Sequence, residues 1–243
     1  MEKQIYKKSI FRPLNPEKTF SSFVSDQNNQ GAYDLCKSVA SNVGNSFSPL
    51  IICGSEGFGK THLLHAIGNQ CIAKSSKCRA RYATLFDFTN EMIESIRKKK
   101  IRNFWRQFQS IDMLLLDDIE KDESKPRLLA YLTEELTRCF AAQKKQIVCA
   151  VGNDPTKEYL SNNLLLKFEG GIKIALYPPD TNTKIKIITK IARQQGAHLC
   201  HALATVLAKY AISIREMDGL LIQLKAHTLS QSQYLPTFHN QSQ

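Results

Sequence analysis

The sequence predicts an α/β fold, a parallel sheet flanked by helices, followed by a small all-helical part. Three observations predict it. The apolar run Leu50-Ile51-Ile52-Cys53 leads straight into Gly54-Ser55-Glu56-Gly57-Phe58-Gly59-Lys60-Thr61, which fits the phosphate-binding pattern G-x-x-x-x-G-K-[ST] and opens a helix. Fully apolar runs then alternate with segments of helical periodicity, as in a sheet covered on both faces. Beyond Pro178-Pro179 the periodicity is helical only.

Taken in order, residues 1–19 are polar and basic, carry Pro13 and Pro16, and read as an N-terminal arm. A core over 20–177 begins with a short aromatic patch at 20–24. Residues 28–40 read as a helix with Ala32, Leu35, Cys36, Val39 and Ala40 on one face. A Gly/Asn/Ser loop precedes the P-loop strand, and the P-loop helix is expected to run to about Cys71. Residues 81–86 form a candidate strand, with Tyr82, Thr84 and Phe86 alternating. Helices are expected over 88–96 and about 97–108, then an apolar strand over 111–116 ending in Asp117-Asp118. A helix over 128–140 and strands over 146–151 and 172–176 complete the core. Helices over 183–193, 202–210 and 214 to about 229 make the helical part, 178–229. Residues 230–243 are Ser/Gln-rich and read as a flexible tail.

Composition narrows the function classes. The 243 residues are 42% hydrophobic and 23% charged, with no apolar run long enough to span a bilayer and no signal-peptide core at the start. The expectation is a cytoplasmic protein with no membrane partner. Seven cysteines without a C-x-x-C pair read as small core or surface residues in a reducing compartment, not as a disulfide or zinc framework. A formal net charge of +11 favours acidic partners, with nucleic acid ahead of an anionic membrane surface.

The chemistry-bearing residues divide into two halves of one site and a separate basic run. In the loop, glycines let backbone N–H groups turn inward around an anion, and the helix N-terminus adds its own donors. Lys60 would reach the β- and γ-phosphates, and the Thr61 hydroxyl would ligate Mg²⁺. Asp117, the acidic partner expected at the end of a neighbouring strand, would hold Mg²⁺ directly or through water, and Asp118 would orient or deprotonate an attacking water. Asn153, just past the 146–151 strand, would hold that water or the γ-phosphate. His62 and His65 stand three apart, but no third metal ligand is in view. Arg97, Lys98, Lys99, Lys100, Arg102 and Arg106 come without an acid among them, interleaved with Phe104, Trp105 and Phe108. They read as a basic helix for phosphate-backbone contact, against the plainer reading of a solvated face with its aromatics in the core.

These motifs, extended over 15 to about 228, resemble the bacterial replication initiator DnaA family of AAA+ ATPases. The resemblance is carried by the run from Gly54 through Ala66-Ile67-Gly68-Asn69, by Asn15-Pro16, Thr19-Phe20, Phe23-Val24 and Asn29-Gln30 upstream, and downstream by Leu116-Asp117-Asp118-Ile119, Phe168-Glu169-Gly170-Gly171, Pro178-Pro179-Asp180 and Arg215-Glu216-Met217-Asp218-Gly219. It implies an AAA+ P-loop core with a helical lid, binding ATP or ADP with Mg²⁺ and acting in or regulating initiation of chromosomal replication. Arg215 matches the lid arginine that contacts the γ-phosphate, and Asn153 falls at the position that senses it. Residues 88–108 match the helical insertion that faces single-stranded DNA. Implied partners are single-stranded DNA, full-length DnaA or the replicative helicase, with homo- or hetero-oligomers through AAA+ faces.

Two departures temper the resemblance. The family's C-terminal helix-turn-helix has no counterpart in residues 1–243, so a truncated form without duplex-sequence recognition is expected. Asn163 and Lys167 stand where the family has finger arginines, and lysine cannot make the planar bidentate contact. An arginine finger is worth about 10³–10⁵ in turnover, so weak intrinsic hydrolysis is expected. The alternative reading is a helicase loader or adaptor using ATP as a conformational switch. It does not account for the matched segment from Asn15 to Tyr33.

Overall fold

A computed structural model describes residues 10–44, 47–119, 126–140, 144–152 and 171–232. The chain divides into two units, Met1–Tyr177 and Pro178–Gln243. The first holds α1 (Gln30–Ser41), β1 (Leu50–Cys53), α2 (Lys60–Lys74), β2 (Ala80–Thr84), α3 (Leu85–Arg97), α4 (Ile101–Arg106), β3 (Met113–Ile119), α5 (Pro126–Phe140), β4 (Gln146–Val151) and β5 (Ile172–Ala175). The strands form one sheet in the order β2-β3-β4-β1-β5, every neighbouring pair parallel.

The inner strands β3, β4 and β1 are buried on both faces, which is why they are apolar runs instead of alternating patterns, while the edge strands β2 and β5 expose Arg81 and Lys173. Leu50, Ile52, Met113, Leu115, Val148 and Ala150 pack with Leu63, Leu64 and Ile67 of α2 and Cys36 and Val39 of α1. The opposite parity, Ile51, Leu114, Leu116, Ile147 and Cys149, packs with Phe88 and Met92 of α3, Phe104 and Trp105 of α4, and Leu132 and Leu136 of α5. All strands point the same way, so their carboxyl ends share one edge.

The second strand is shorter than expected. β2 ends at Thr84, and Phe86 belongs to the first turn of α3, where it is 71% exposed. Thr84 stops the strand: it keeps extended backbone angles while its Oγ1 accepts the Asp87 N–H at 3.2 Å, an N-cap. Replacing Thr84 with alanine is expected to cost about 1 kcal/mol, read as a melting-temperature loss of about 2–4 °C.

The single basic helix over 97–108 is also corrected. α3 ends at Arg97, and Lys98-Lys99-Lys100 form a corner before α4. Lys99 adopts φ 55, Lys100 N–H donates to Ser95 O at 2.7 Å and Lys99 N–H to Ile96 O at 3.0 Å. That is the paired bonding of a Schellman C-cap, with lysine where glycine is usual.

The described part of the 1–19 segment is docked on the core. Arg12 N–H donates to Tyr82 O at 2.9 Å in an antiparallel bridge along the outer side of β2, an edge strand. Ile10 is buried, and the Phe11 ring meets Phe108 edge-on with centroids 5.5 Å apart. The reading of the cysteines needs one correction. Cys71 and Cys78 form a disulfide, with Cα atoms 6.2 Å apart. The turn after α2, closed by Cys78 N–H to Ser75 O at 2.9 Å, carries Cys78 back beside the last turn of the helix. A seven-residue separation has no motif signature.

The second unit contains α6 (Thr181–Gln194), α7 (His201–Tyr210) and α8 (Ile214–Ser232), so α8 runs past the expected start of the tail at 230. Asp180 caps α6 by accepting the Thr183 N–H at 2.6 Å. Lys184 Nζ donates to Ala211 O and Gln195 Nε2 to Asp218 Oδ1, both at 2.8 Å, tying α6 to the chain after α7 and to α8. Among the described residues no helix is long and apolar enough to cross a membrane.

Candidate functional site

The loop between β1 and α2 is built by its glycines. Gly57 has φ 74, and Gly59, the N-cap of α2, has φ 98; a side chain at Gly59 would also place its Cβ 2.8 Å from the Phe23 ring. Lys60 Nζ donates to Gly54 O at 2.7 Å and Ser55 O at 2.8 Å, so the ammonium sits within the loop's own curve. Ser55 and Glu56 are exposed, while Gly57, Phe58, Gly59, Lys60 and Thr61 are half-buried. The first-turn N–H groups of α2 open at the same place, where no helical carbonyl can satisfy them.

The acidic pair stands at the carboxyl edge of β3, separated from β1 by β4 alone, a spacing of about 10 Å between strand axes. Leu116 pairs with Cys149 and Ile119 with Val151, so Asp117 and Asp118 together oppose Ala150. This bulge separates their fates. Asp117 keeps the parity of Met113 and Leu115, faces the α2 side and is 1% exposed. Asp118, with φ 54, is turned out to solvent. Each oxygen of the buried carboxylate accepts one hydrogen bond: Oδ2 from Tyr82 OH at 2.8 Å and Oδ1 from the Asp118 N–H at 2.9 Å. Burial and the neighbouring Asp117 charge push the Tyr82 phenol above its usual range, so it stays a donor.

Sequence reasoning missed Tyr82 and assigned too little to the two histidines. His65 stacks on Tyr82 with centroids 4.4 Å apart, and its Nδ1 accepts the Asn15 N–H at 3.2 Å. His62 Nε2 lies 3.0 Å from Thr19 O and 3.1 Å from Ser22 Oγ, and Asn69 Nδ2 donates to Asn15 O and Lys18 O. One face of α2 thus grips residues 15–22. No metal-holding group of three His, Cys, Asp or Glu occurs among the described residues. Buried Asn29 clamps Tyr177 by donating to its O at 3.1 Å and accepting its N–H at 2.9 Å. Sequence marks Asn29 through the family resemblance, but not its partner Tyr177, 148 residues away.

All six cations of the basic run are exposed. The acid missing from the run comes from the preceding turn: Glu94 pairs with Arg97 at 3.3 Å and Lys98 at 3.0 Å. Phe104, Trp105 and Phe108 are buried around Phe88, with Phe104 and Phe108 centroids 5.3 and 5.2 Å from it, so they are core and not stacking platforms. Arg215 lies exposed in the first turn of α8, in the helical unit. Asn153, Asn163 and Lys167 lie outside the described residues.

The Bacterial DnaA ATPase domain model matches residues 14–175. The chromosomal replication initiator protein DnaA of Citrifermentans bemidjiense is 36% identical over 220 residues, covering 90% of this chain and 48% of that protein. The chain therefore spans about half the length of the curated relatives it matches. Domain III of the Thermotoga maritima replication initiation protein DnaA superposes with a TM-score of 0.81 at 28% identity, covering 91% of this chain and 92% of that one. A replication initiator DnaA bound to AMPPCP and single-stranded DNA superposes at 0.72 with 30% identity, covering 92% and 70%. The DnaC helicase loader, at 15% identity and a TM-score of 0.55, shares the fold alone. Matched by the family model over residues 14–175 and by relatives at 36% identity over 90% of its length, this chain belongs to the bacterial DnaA ATPase-domain family.

Proposed function

We propose that the chain is the ATP-binding module of a DnaA-type protein acting in initiation of chromosomal replication, and that it also binds single-stranded DNA. The observation that carries the nucleotide half is the convergence of Lys60 and Asp117 on one edge and one face of the sheet, in a chain of this family. Backbone N–H groups of residues 54–59 and the α2 N-terminus would cradle the phosphates of ATP or ADP, and Lys60 would reach the β- and γ-phosphates. Thr61 and Asp117 would hold Mg²⁺, which when bound neutralises charge on the phosphate oxygens. Asp118, exposed beside the buried acid, would orient water; the family pattern gives Asn153 and Arg215 roles at the γ-phosphate.

The single-strand half rests on the α3–α4 corner. Lys99, Lys100, Arg102 and Arg106 are exposed and have no ion pair among the described residues, whereas Arg97 and Lys98 are partly spent on Glu94. Because the neighbouring aromatics are buried, contact would be to the phosphate backbone, independent of sequence and sensitive to salt. Exchanging these four cations for glutamine is expected to weaken binding of a labelled single strand about tenfold or more at low salt. The log–log salt slope should fall by up to about 3. Fluorescence anisotropy across a salt series reads both, and an unchanged affinity and slope would remove the corner from the interface.

A further inference from the structure

The buried acid of the site is held by a residue that no motif identifies. We infer that Tyr82 is a positioning residue for Asp117, its hydroxyl orienting the carboxylate toward the metal of the bound nucleotide. The inference rests on the reading of Asp117 as the Mg²⁺-facing acid and deepens it.

A carboxylate on a strand end is free to rotate about its last torsion unless both oxygens are engaged. Here each oxygen accepts one hydrogen bond, Oδ2 from Tyr82 and Oδ1 from the Asp118 N–H. Two fixed donors define the plane of the group and leave lone pairs on each oxygen for a metal or its water. The backbone donor is supplied by the bulge itself. The side-chain donor comes from a different strand, and its precision depends on how firmly Tyr82 is held.

Tyr82 is held on three sides. β2 pairs it with Leu115 of β3, the Arg12 N–H closes its carbonyl from the outer edge, and the His65 ring lies against its own at 4.4 Å. His65 is one helical turn after Thr61, so both project from the same face of α2. The tyrosine ring therefore touches the helix that carries Thr61, and its hydroxyl touches the acid on β3. It ties the two proposed metal-holding residues into one frame, as a partner behind a metal ligand does.

The test compares the full chain with Tyr82→Phe, which keeps the ring and its stack on His65 but removes the hydroxyl, and with Asp117→Asn. A fluorescent ATP analogue is titrated in excess Mg²⁺ and again in EDTA, and the Mg²⁺ midpoint for tight binding is measured. For Tyr82→Phe the Mg²⁺ midpoint is expected to rise about tenfold, and the gain in nucleotide affinity that Mg²⁺ confers should fall accordingly. An equal loss of affinity with and without Mg²⁺ would mark Tyr82 as structural support only and overturn the inference. A midpoint unmoved in Tyr82→Phe but raised in Asp117→Asn would overturn it while sparing the role of Asp117. A midpoint unmoved in both would overturn the metal reading of Asp117, and the inference with it.

Discussion

Replacing Lys60 with alanine is expected to lower affinity for ATP about a hundredfold or more while leaving the fold in place. The ammonium would make charge-assisted bonds to two phosphate groups, each worth about 1.5–3 kcal/mol, and a loss of about 3 kcal/mol is already more than a hundredfold. The fold should tolerate the change. Lys60 is half-buried, and the carbonyls it engages, Gly54 O and Ser55 O, belong to a loop with an exposed rim that water can reach. The glycine geometry and the buried contacts of Leu63, Leu64 and Ile67 do not depend on the amino group. Titration with a fluorescent ATP analogue, alongside thermal melting of both proteins, separates the two effects. Affinity within threefold of the parent would remove Lys60, and with it the phosphate-cradle reading, from the site.

Local pattern suffices where each residue answers to its immediate neighbours. The P-loop was legible because each residue type answers a local demand: positive φ at Gly57 and Gly59, a donor at Lys60, an apolar strand in front. β4 was legible to the residue, since a strand buried on both faces has no alternative pattern. What escaped was non-local. The Tyr82–Asp117 bond spans 35 residues, and the His65–Asn15 bond spans 50. No spacing rule connects them, because strand order and helix placement bring them together. The resemblance to the family marked residues 15–33 as meaningful, but not that α2 grips them through His62, His65 and Asn69.

The basic run failed for a subtler reason. Its composition suits a helix, and only the bonding of the α3 C-cap shows that Lys99 takes a left-handed conformation usually reserved for glycine. The corner changes the functional reading as well as the local one. A continuous helix would spread six cations around its circumference. The corner instead projects Lys99 and Lys100 from a turn, while α4 sends Phe104 and Trp105 inward and leaves Arg102 and Arg106 outside. Likewise the bulge at Asp117-Asp118 divides two adjacent carboxylates into a buried, doubly bonded group and an exposed one. A plain strand would also have sent them to opposite faces, but Asp118 would then face the core beside Leu116.

Stability should fall steeply in mild acid because of His65. Burial, reinforced by the positive charge of Lys18 and opposed by Asp117, lowers its pKa from 6.5 to about 4. The geometry agrees, since Nδ1 accepts a hydrogen bond from the Asn15 N–H and a proton there would abolish the acceptor. Above pH 6.5 the imidazole is neutral in both folded and unfolded chains, and its contribution is fully present. Between about 6.5 and 4 the unfolded chain takes up a proton that the folded chain refuses, so stability is lost progressively, by about 3 kcal/mol over that window. Below about 4 both forms are protonated and the loss levels off. Carboxylates also respond to acid, so the histidine contribution is isolated by a variant. His65→Asn keeps an oxygen acceptor near the Nδ1 position and cannot titrate. Urea unfolding at pH 7 and at pH 4.5 should show the parent losing about 2–3 kcal/mol more than the variant. Parallel losses would mean that the folded chain protonates His65 as readily as the unfolded chain does, and would remove this imidazole from the acid response.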